Sequence, residues 1–257
     1  MLRAQPEDWP PTERSYSYHI QQADSAIRLD GRLRERAWQT AEVADSFYQM
    51  FPFDTSYALT RTEVMLTYDD QNLYVAAINH DDSLPGQYVT QSLGRDFSYP
   101  RNDAFAVFLD PTGDQTNGFS FAVTPQGAYR EGLLQSGGRF GVTTSWDTPW
   151  QAEVTQHPDH WVVEMAIPFK SLRFKEAVGQ WGINFGRHNL KINEQTAWYP
   201  VPRNFNVATM SFNGDLVWDQ PPPTPDLNLA LIPYTTGSIN QDLEQASHTD
   251  EGEPIDR

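Results

Sequence analysis

The sequence predicts an all-β fold, specifically an antiparallel β-sandwich (jelly-roll-like) with short helical turns. Apolar residues recur at every second position in many short runs, which is the spacing of a β-strand. Clusters of Asp, Asn, Gly and Pro separate these runs, and such clusters favour tight turns. The clearest example is 103–124, where two alternating runs flank Asp-Pro-Thr-Gly-Asp at 110–114. We therefore expect this hairpin to lie in the middle of the sandwich.

Three elements are predicted at the N-terminal end. Residues 1–19 are polar and contain Pro6, Pro10 and Pro11, a composition that predicts a flexible tail. The run 27–31 predicts a short strand that ends in an Asp-Gly turn. Leu33, Ala37 and Trp38 then follow the spacing of one helical face, so Trp38 is most simply a core residue.

The rest of the sandwich is predicted from further alternating runs. Residues 62–68 and 73–79 form a hairpin around a turn of acidic and amide residues, and a long loop over 83–100 follows. A single helical turn is expected at 169–172. On the reverse face of the strand predicted at 181–185, the residues Gly182, Asn184 and Gly186 are small, so we expect another backbone or a ligand to approach there. The remaining strands are predicted over 127–131, 150–155, 161–167 and 181–185.

The C-terminal end differs in composition from the sandwich. Residues 220–225 are rich in proline and predict a stiff linker, and 227–234 predict one isolated strand. The last residues are acidic and polar, which predicts disorder. These features divide the chain into a tail over 1–19, a sandwich over 20–220, and a linker with one strand over 221–257. A lone strand after a linker indicates that the chain was cut from a longer protein.

Composition and charge narrow the possible partners. The chain has 257 residues, no cysteine and a formal net charge of −16, so disulfides and thiolate metal sites are excluded. A strongly acidic surface repels phosphate backbones, so we expect no nucleic acid partner. It suits cations such as Ca²⁺, or neutral ligands such as sugars. No apolar run is long enough for a transmembrane helix, and no signal peptide is recognised at the N terminus.

Several segments, taken in order, resemble the family 9 carbohydrate-binding module over residues 20–220. The closer resemblance is to the N-terminal domain of uncharacterised bacterial proteins whose C-terminal part is an outer-membrane β-barrel. Leu231-Ile-Pro-Tyr234 is similar to the first strand of that barrel. The segments that carry the resemblance are Ile27-x-Leu-Asp-Gly with Trp38, Tyr68-Asp-Asp, Asp103 to Asp110, Trp161 to Phe174 and Trp181 to Arg187.

The resemblance implies a β-sandwich, structural metal ions, and a saccharide end held between two Trp rings. It also implies a cell-envelope location, in the periplasm or outer membrane, with the chain's own C-terminal β-barrel as a partner. Departures from the pattern appear at the sugar site. Ala106 stands where sugar-binding members carry a Glu, Tyr99 and Pro100 stand near the Trp position, and Ser120 and Phe121 stand near the Arg position. We therefore expect the family's sugar site to be altered or lost.

Loop aromatic residues supply the candidate saccharide platform. The apolar face of a sugar packs on such rings, while nearby charged groups bind its hydroxyls. The alternative is that Trp150 and Trp198 belong to the core. The candidate carbohydrate-binding residues are Tyr99, Trp146, Asp147, Arg187, Glu194 and Trp198.

Oxygen-rich turns supply the candidate metal site. Asp110, Asp114 and Asn117 offer ligands for Ca²⁺ from one turn, although without EF-hand spacing. The alternative is an Asx turn that binds its own backbone. The same two interpretations apply to the turn at 69–72.

No catalytic motif is present: neither Gly-x-Ser-x-Gly nor His-Glu-x-x-His occurs. Together with the family resemblance, this implies a non-catalytic binding module that captures saccharides through the Trp146 and Trp198 end. The competing prediction is an interaction domain that docks to its own barrel or to a secretion partner and has lost sugar binding. A glycoside hydrolase is the third and least favoured class.

Overall fold

The computed structural model describes residues 14–81, 87–174 and 179–222, and it confirms the β-sandwich. Within these ranges there are thirteen strands and one short α-helix, α1 (Arg36–Thr40). The strands are β1 (Ser17–Gln22), β2 (Tyr48–Phe51), β3 (Thr62–Tyr68), β4 (Asn72–His80), β5 (Ala104–Asp110), β6 (Gly118–Val123), β7 (Tyr129–Leu134), β8 (Val142–Thr143), β9 (Gln151–Gln156), β10 (His160–Pro168), β11 (Gln180–Asn189), β12 (Glu194–Ala197) and β13 (Gly214–Trp218).

The strands form one continuous sheet that curls into two halves. Their order is β8-β7-β6-β5-β11-β13-β1-β3-β4-β10-β9, with β12 added to β11 and β2 added to β12. All pairings among the described strands are antiparallel except those of β1, which runs parallel to both β13 and β3. The predicted antiparallel sandwich is therefore correct apart from this strand, which joins the two halves.

Alternation along the strands builds the main core between the halves. On β5, Phe105, Val107 and Leu109 point inward and are fully buried, opposite Val64 and Leu66 of β3. Burial of this many apolar side chains is the dominant favourable contribution to folding. Both faces of β5 are buried. One face lies in the main core, and other segments of the chain cover the opposite face, which is the outer side of the sheet.

Each half also carries a smaller apolar cluster on its outer face. Segment 27–41, which includes α1, covers the half that contains β3, β4 and β10 through Trp38. The other half, around β5, β6 and β11, is covered by the loops 97–102 and 198–213. Its outer cluster consists of Met50, Phe97, Tyr99, Ala104, Ala106, Phe108, Ala122, Ala128, Leu134, Ala197, Val201, Val207, Ala208 and Met210.

Most predicted strands are present, and two predictions at the N terminus are corrected. Residues 17–19 belong to β1, so the predicted tail extends too far, and 1–13 lie outside the described residues. Residues 27–31 are not a strand, because their backbone binds a buried carboxylate instead of a neighbouring strand. The predicted linker from 223 onward and the strand at 227–234 lie outside the described residues. In the described part of the chain, no helix has the length and apolar character needed to cross a membrane.

Candidate functional site

The six predicted carbohydrate-binding residues do not form one site. Trp198 is only 3% exposed and belongs to the main core. Its ring meets those of Tyr16 and Phe185 at centroid distances of 5.7 and 5.6 Å. An indole enclosed in this way has no free face on which a sugar could stack, so the core alternative applies to Trp198.

Tyr99 is also buried, at 8% exposure, on the outer face of the sheet. Its ring stacks on that of His188 at 5.8 Å, and burial raises the pKa of its hydroxyl. Gly186 leaves room for it, because a Cβ there would lie 3.1 Å from the Tyr99 hydroxyl. Tyr99 therefore fills the sheet face where the resemblance places a sugar-binding ring.

Arg187 and Glu194 are buried and bind the chain itself. Arg187 donates to the carbonyl oxygens of Arg61 and His80 at 3.0 and 2.6 Å. Glu194 accepts from the Gln49 side chain and the Leu59 backbone, both at 2.8 Å. These hydrogen bonds fasten loops to strand ends, which is a structural role.

Trp146 and Asp147 are the predicted residues that remain accessible. The Trp146 ring is half-buried against Phe119 and Phe121, at 5.2 and 6.2 Å. The Asp147 side chain is 76% exposed, and its Oδ1 lies 3.9 Å from Nε of Arg95. One face of this end of the sandwich can therefore still meet a ligand.

The carboxylates among the predicted calcium ligands accept hydrogen bonds from their own turn. The two carboxylate oxygens of Asp110 accept four hydrogen bonds from Thr112, Gly113 and Gln115, at 2.7 to 3.2 Å. Asp114 Oδ1 accepts from the backbone of Thr116 and Asn117. The oxygens thus face their own turn, as in an Asx turn. Within the described ranges, no three His or carboxylate groups are arranged to hold a metal.

The outer face of the β5 half is filled where the family resemblance implies a sugar. Ala106 is 1% exposed and lies in register between Gly186 on β11 and Ala122 on β6. Val207 reaches the same place, because a Cβ on Gly186 would lie 3.1 Å from its side chain. The chain's own loops therefore cover the face around Ala106, where the resemblance implies a Glu.

A separate cleft of about 810 Å³ lies beside the start of β13 and was not predicted. Two tyrosine rings form one wall: Tyr16 and Tyr199 lie 4.7 Å apart, centroid to centroid, at 49°. The Arg14 guanidinium lies 5.4 Å from the Tyr16 centroid. We call this the tyrosine cleft. Its lining residues are 14–16, 49, 54–55, 199–202 and 212–215.

Asn184 fixes both ends of the loop 198–213, which forms one side of the tyrosine cleft. Its Nδ2 donates to the carbonyl oxygens of Tyr199 and Phe212 at 3.2 and 2.8 Å, and its Oδ1 accepts from Tyr199 N at 2.9 Å. Asn184 belongs to the small-residue face that the sequence marked for close approach. That face is met by the chain's own backbone, and this signal could have led to the cleft.

The profile described as "Carbohydrate family 9 binding domain-like" matches residues 29–197, which is more than half of the chain. The chain belongs to this family. The matched range holds the central hairpin, Glu164 and Asn184. The comparison with curated proteins found no match.

Solved structures show the same fold as this family member. A family 9 module from Caldicellulosiruptor kristjanssonii in complex with cellotriose is 16% identical, with TM-score 0.56, covering 85% of this chain and 100% of that chain. The same kind of module in complex with glucose is also 16% identical, with TM-score 0.54 and coverage of 82% and 98%. A Bacteroides uniformis protein, provisionally assigned as carbohydrate-binding, is 12% identical, with TM-score 0.58 and coverage of 80% and 99%.

Proposed function

We propose that this chain is a non-catalytic carbohydrate-binding module of a cell-envelope protein. The observation that carries the proposal is the family match over 29–197, together with the sandwich that the chain shares with modules solved in complex with cellotriose and glucose. The envelope location rests on the resemblance to N-terminal domains of barrel-containing proteins. Fractionation of cells that express the full-length protein tests that location.

The buried carboxylates support binding rather than catalysis. Glu131, Glu164 and Glu194 are nearly inaccessible, and each accepts hydrogen bonds from the chain itself. A glycosidase needs two carboxyl groups that flank an open scissile bond. These three groups instead hold loops to the sandwich, so they serve the scaffold.

The experiment that tests the proposal is a saccharide titration of the whole chain. We expect calorimetry with cellotriose, and a glycan array, to show saturable binding of at least one neutral saccharide. Heat-unfolded protein is the control, because a folded site should lose its binding on unfolding. If the folded chain binds no saccharide in either measurement, the proposed function is wrong.

The second candidate is a protein-interaction domain that docks to its own C-terminal β-barrel. It is favoured by the filled family site and by exposed apolar residues on the turn after β2, Phe53 at 62% and Leu59 at 70% exposure. Large exposed apolar side chains that lie together often mark interaction surfaces. Cosedimentation of the separate barrel with this chain, and its loss in a Phe53→Ser and Leu59→Ser variant, would favour docking over saccharide capture.

A further inference from the structure

We propose that the tyrosine cleft is the saccharide site of this chain, and that its ligand is a short neutral oligosaccharide. This inference rests on the proposed function and adds a location that differs from the family's sheet face. It also differs from the Trp146 end that the sequence predicts. The cleft brings together size, aromatic surface and polar groups that the other two places do not combine.

The size and lining of the cleft suit a sugar. Its volume of about 810 Å³ lies within the range of small-molecule sites, roughly 300–1,000 Å³. Tyr199 and Phe212 are partly exposed and offer ring surface to the C–H face of a pyranose. Asn213 and Asp215 place an amide and a carboxylate group on the same lining, where sugar hydroxyls need partners.

The walls are held in place before any ligand arrives. Asn184 is fully buried and binds the backbone of both Tyr199 and Phe212, which lie near the two ends of the loop 198–213. Gly214 lets Tyr16 pack closely against the start of β13, because a Cβ there would lie 2.4 Å from the Tyr16 carbonyl oxygen and 2.7 Å from the Trp198 ring. A preformed site loses less conformational entropy on binding, which favours affinity.

The charges favour a neutral ligand. The lining carries one cation, Arg14, and two carboxylates, Asp54 and Asp215, and the Arg14 guanidinium lies 3.7 Å from Asp45. The whole chain carries a formal net charge of −16. Such a field disfavours acidic saccharides. A neutral chain of hexoses avoids this repulsion and still uses the rings and hydroxyl partners.

Two pairs of variants test the location. Tyr199→Ala removes a ring from the cleft, and Phe140→Ala is its control, because Phe140 is 92% exposed and outside the cleft lining. Asp215→Ala removes an exposed carboxylate from the lining without disturbing the core, and Asp147→Ala does the same at the Trp146 end. The probes are cellotriose, xylotriose and mannotriose, with trigalacturonate as the acidic comparison. Thermal unfolding of each variant checks that it is folded.

We expect Tyr199→Ala and Asp215→Ala each to weaken binding of the best neutral trisaccharide by about tenfold or more. Phe140→Ala and Asp147→Ala should bind like the unchanged chain, and trigalacturonate should bind more weakly than the neutral probes. If Asp147→Ala or Trp146→Ala abolishes binding while Asp215→Ala does not, the location is wrong and the proposed function stands. If the unchanged chain binds none of the saccharides, both fall.

Discussion

The indole nitrogen of Trp38 donates a 3.1 Å hydrogen bond to Oε1 of Glu164, a residue 126 positions later in the chain. The other carboxylate oxygen of Glu164 accepts from the backbone of Asp30 and Gly31, at 3.0 and 2.7 Å. One buried carboxylate on β10 therefore holds the whole segment 27–38 on the outer face of its sheet. The family-like motif Ile-x-Leu-Asp-Gly with Trp38 is explained by this contact as a structural device.

The first prediction concerns the stability that this contact provides. Trp38→Phe removes a donor to a buried, charged acceptor, and we expect the free energy of unfolding to fall by about 2 kcal/mol. Urea denaturation measures the change. Trp146→Phe is the matched control, because Trp146 is half-buried and packs on the rings of Phe119 and Phe121, which a Phe can still contact. Its cost should stay below about 1 kcal/mol. Equal stability of Trp38→Phe and the unchanged chain would contradict the role given to Glu164.

The second prediction uses the pH dependence of the same carboxyl group. Burial raises the pKa of Glu164 above its ordinary value of 4.5. The contribution of the group to stability is therefore fully present below the unfolded pKa and is lost as the pH rises through the folded-state pKa. Glu164→Gln does not titrate, so its stability deficit relative to the unchanged chain should shrink as the pH rises from about 4.5. Denaturation curves at several pH values measure this deficit. A deficit that grows with pH would show that folding lowers the pKa of Glu164 instead of raising it.

The third prediction tests whether the family's sheet face is filled. Ala106→Glu restores the residue type that the resemblance implies, but at a position only 1% exposed between Gly186 and Ala122. An unpaired buried carboxylate is costly, so we expect a loss of about 3 kcal/mol or more and no gain in cellotriose binding. Gln151→Glu adds the same group on exposed β9 and should change stability by less than about 0.5 kcal/mol. A folded Ala106→Glu chain with tighter sugar binding would show that the face is open.

Local patterns predicted the parts of the fold that depend on local contacts. The hairpin of β5 and β6 and that of β3 and β4 join neighbouring runs through short turns, so alternation and turn residues sufficed. β1 pairs in parallel with strands that begin near residues 62 and 214, and its burial depends on them. Only Tyr18 and Ile20 point inward from it, which is too few to distinguish a strand from a polar tail by periodicity.

The candidate site was harder to predict, because ring exposure is a tertiary property. Trp198 and Tyr99 come from loops or strand ends, where exposure is a reasonable expectation, yet loops 198–213 and 97–102 fold back over the sheet. The tyrosine cleft combines residues near 14, 50, 200 and 213, which no local motif connects. Asn184 on the small-residue face was the one signal that pointed toward it.

The last prediction concerns calcium at the turn after β5. Since the Asp110 oxygens already accept hydrogen bonds from Thr112, Gly113 and Gln115, we expect a chelator to leave the melting temperature unchanged. Asp110→Ala should destabilise the chain by about 1–3 kcal/mol whether or not Ca²⁺ is present, because several turn donors lose their acceptor. Asp69→Ala tests the other candidate turn in the same way, because its carboxylate likewise accepts from its own backbone and the same independence of Ca²⁺ is expected. Calorimetry with EDTA and with added Ca²⁺ makes the measurement. If Ca²⁺ binds this turn, a free Ca²⁺ concentration of 100 times its dissociation constant would raise the free energy of unfolding by about 2.7 kcal/mol. A melting temperature that falls in EDTA and recovers with Ca²⁺ would therefore overturn the Asx-turn explanation.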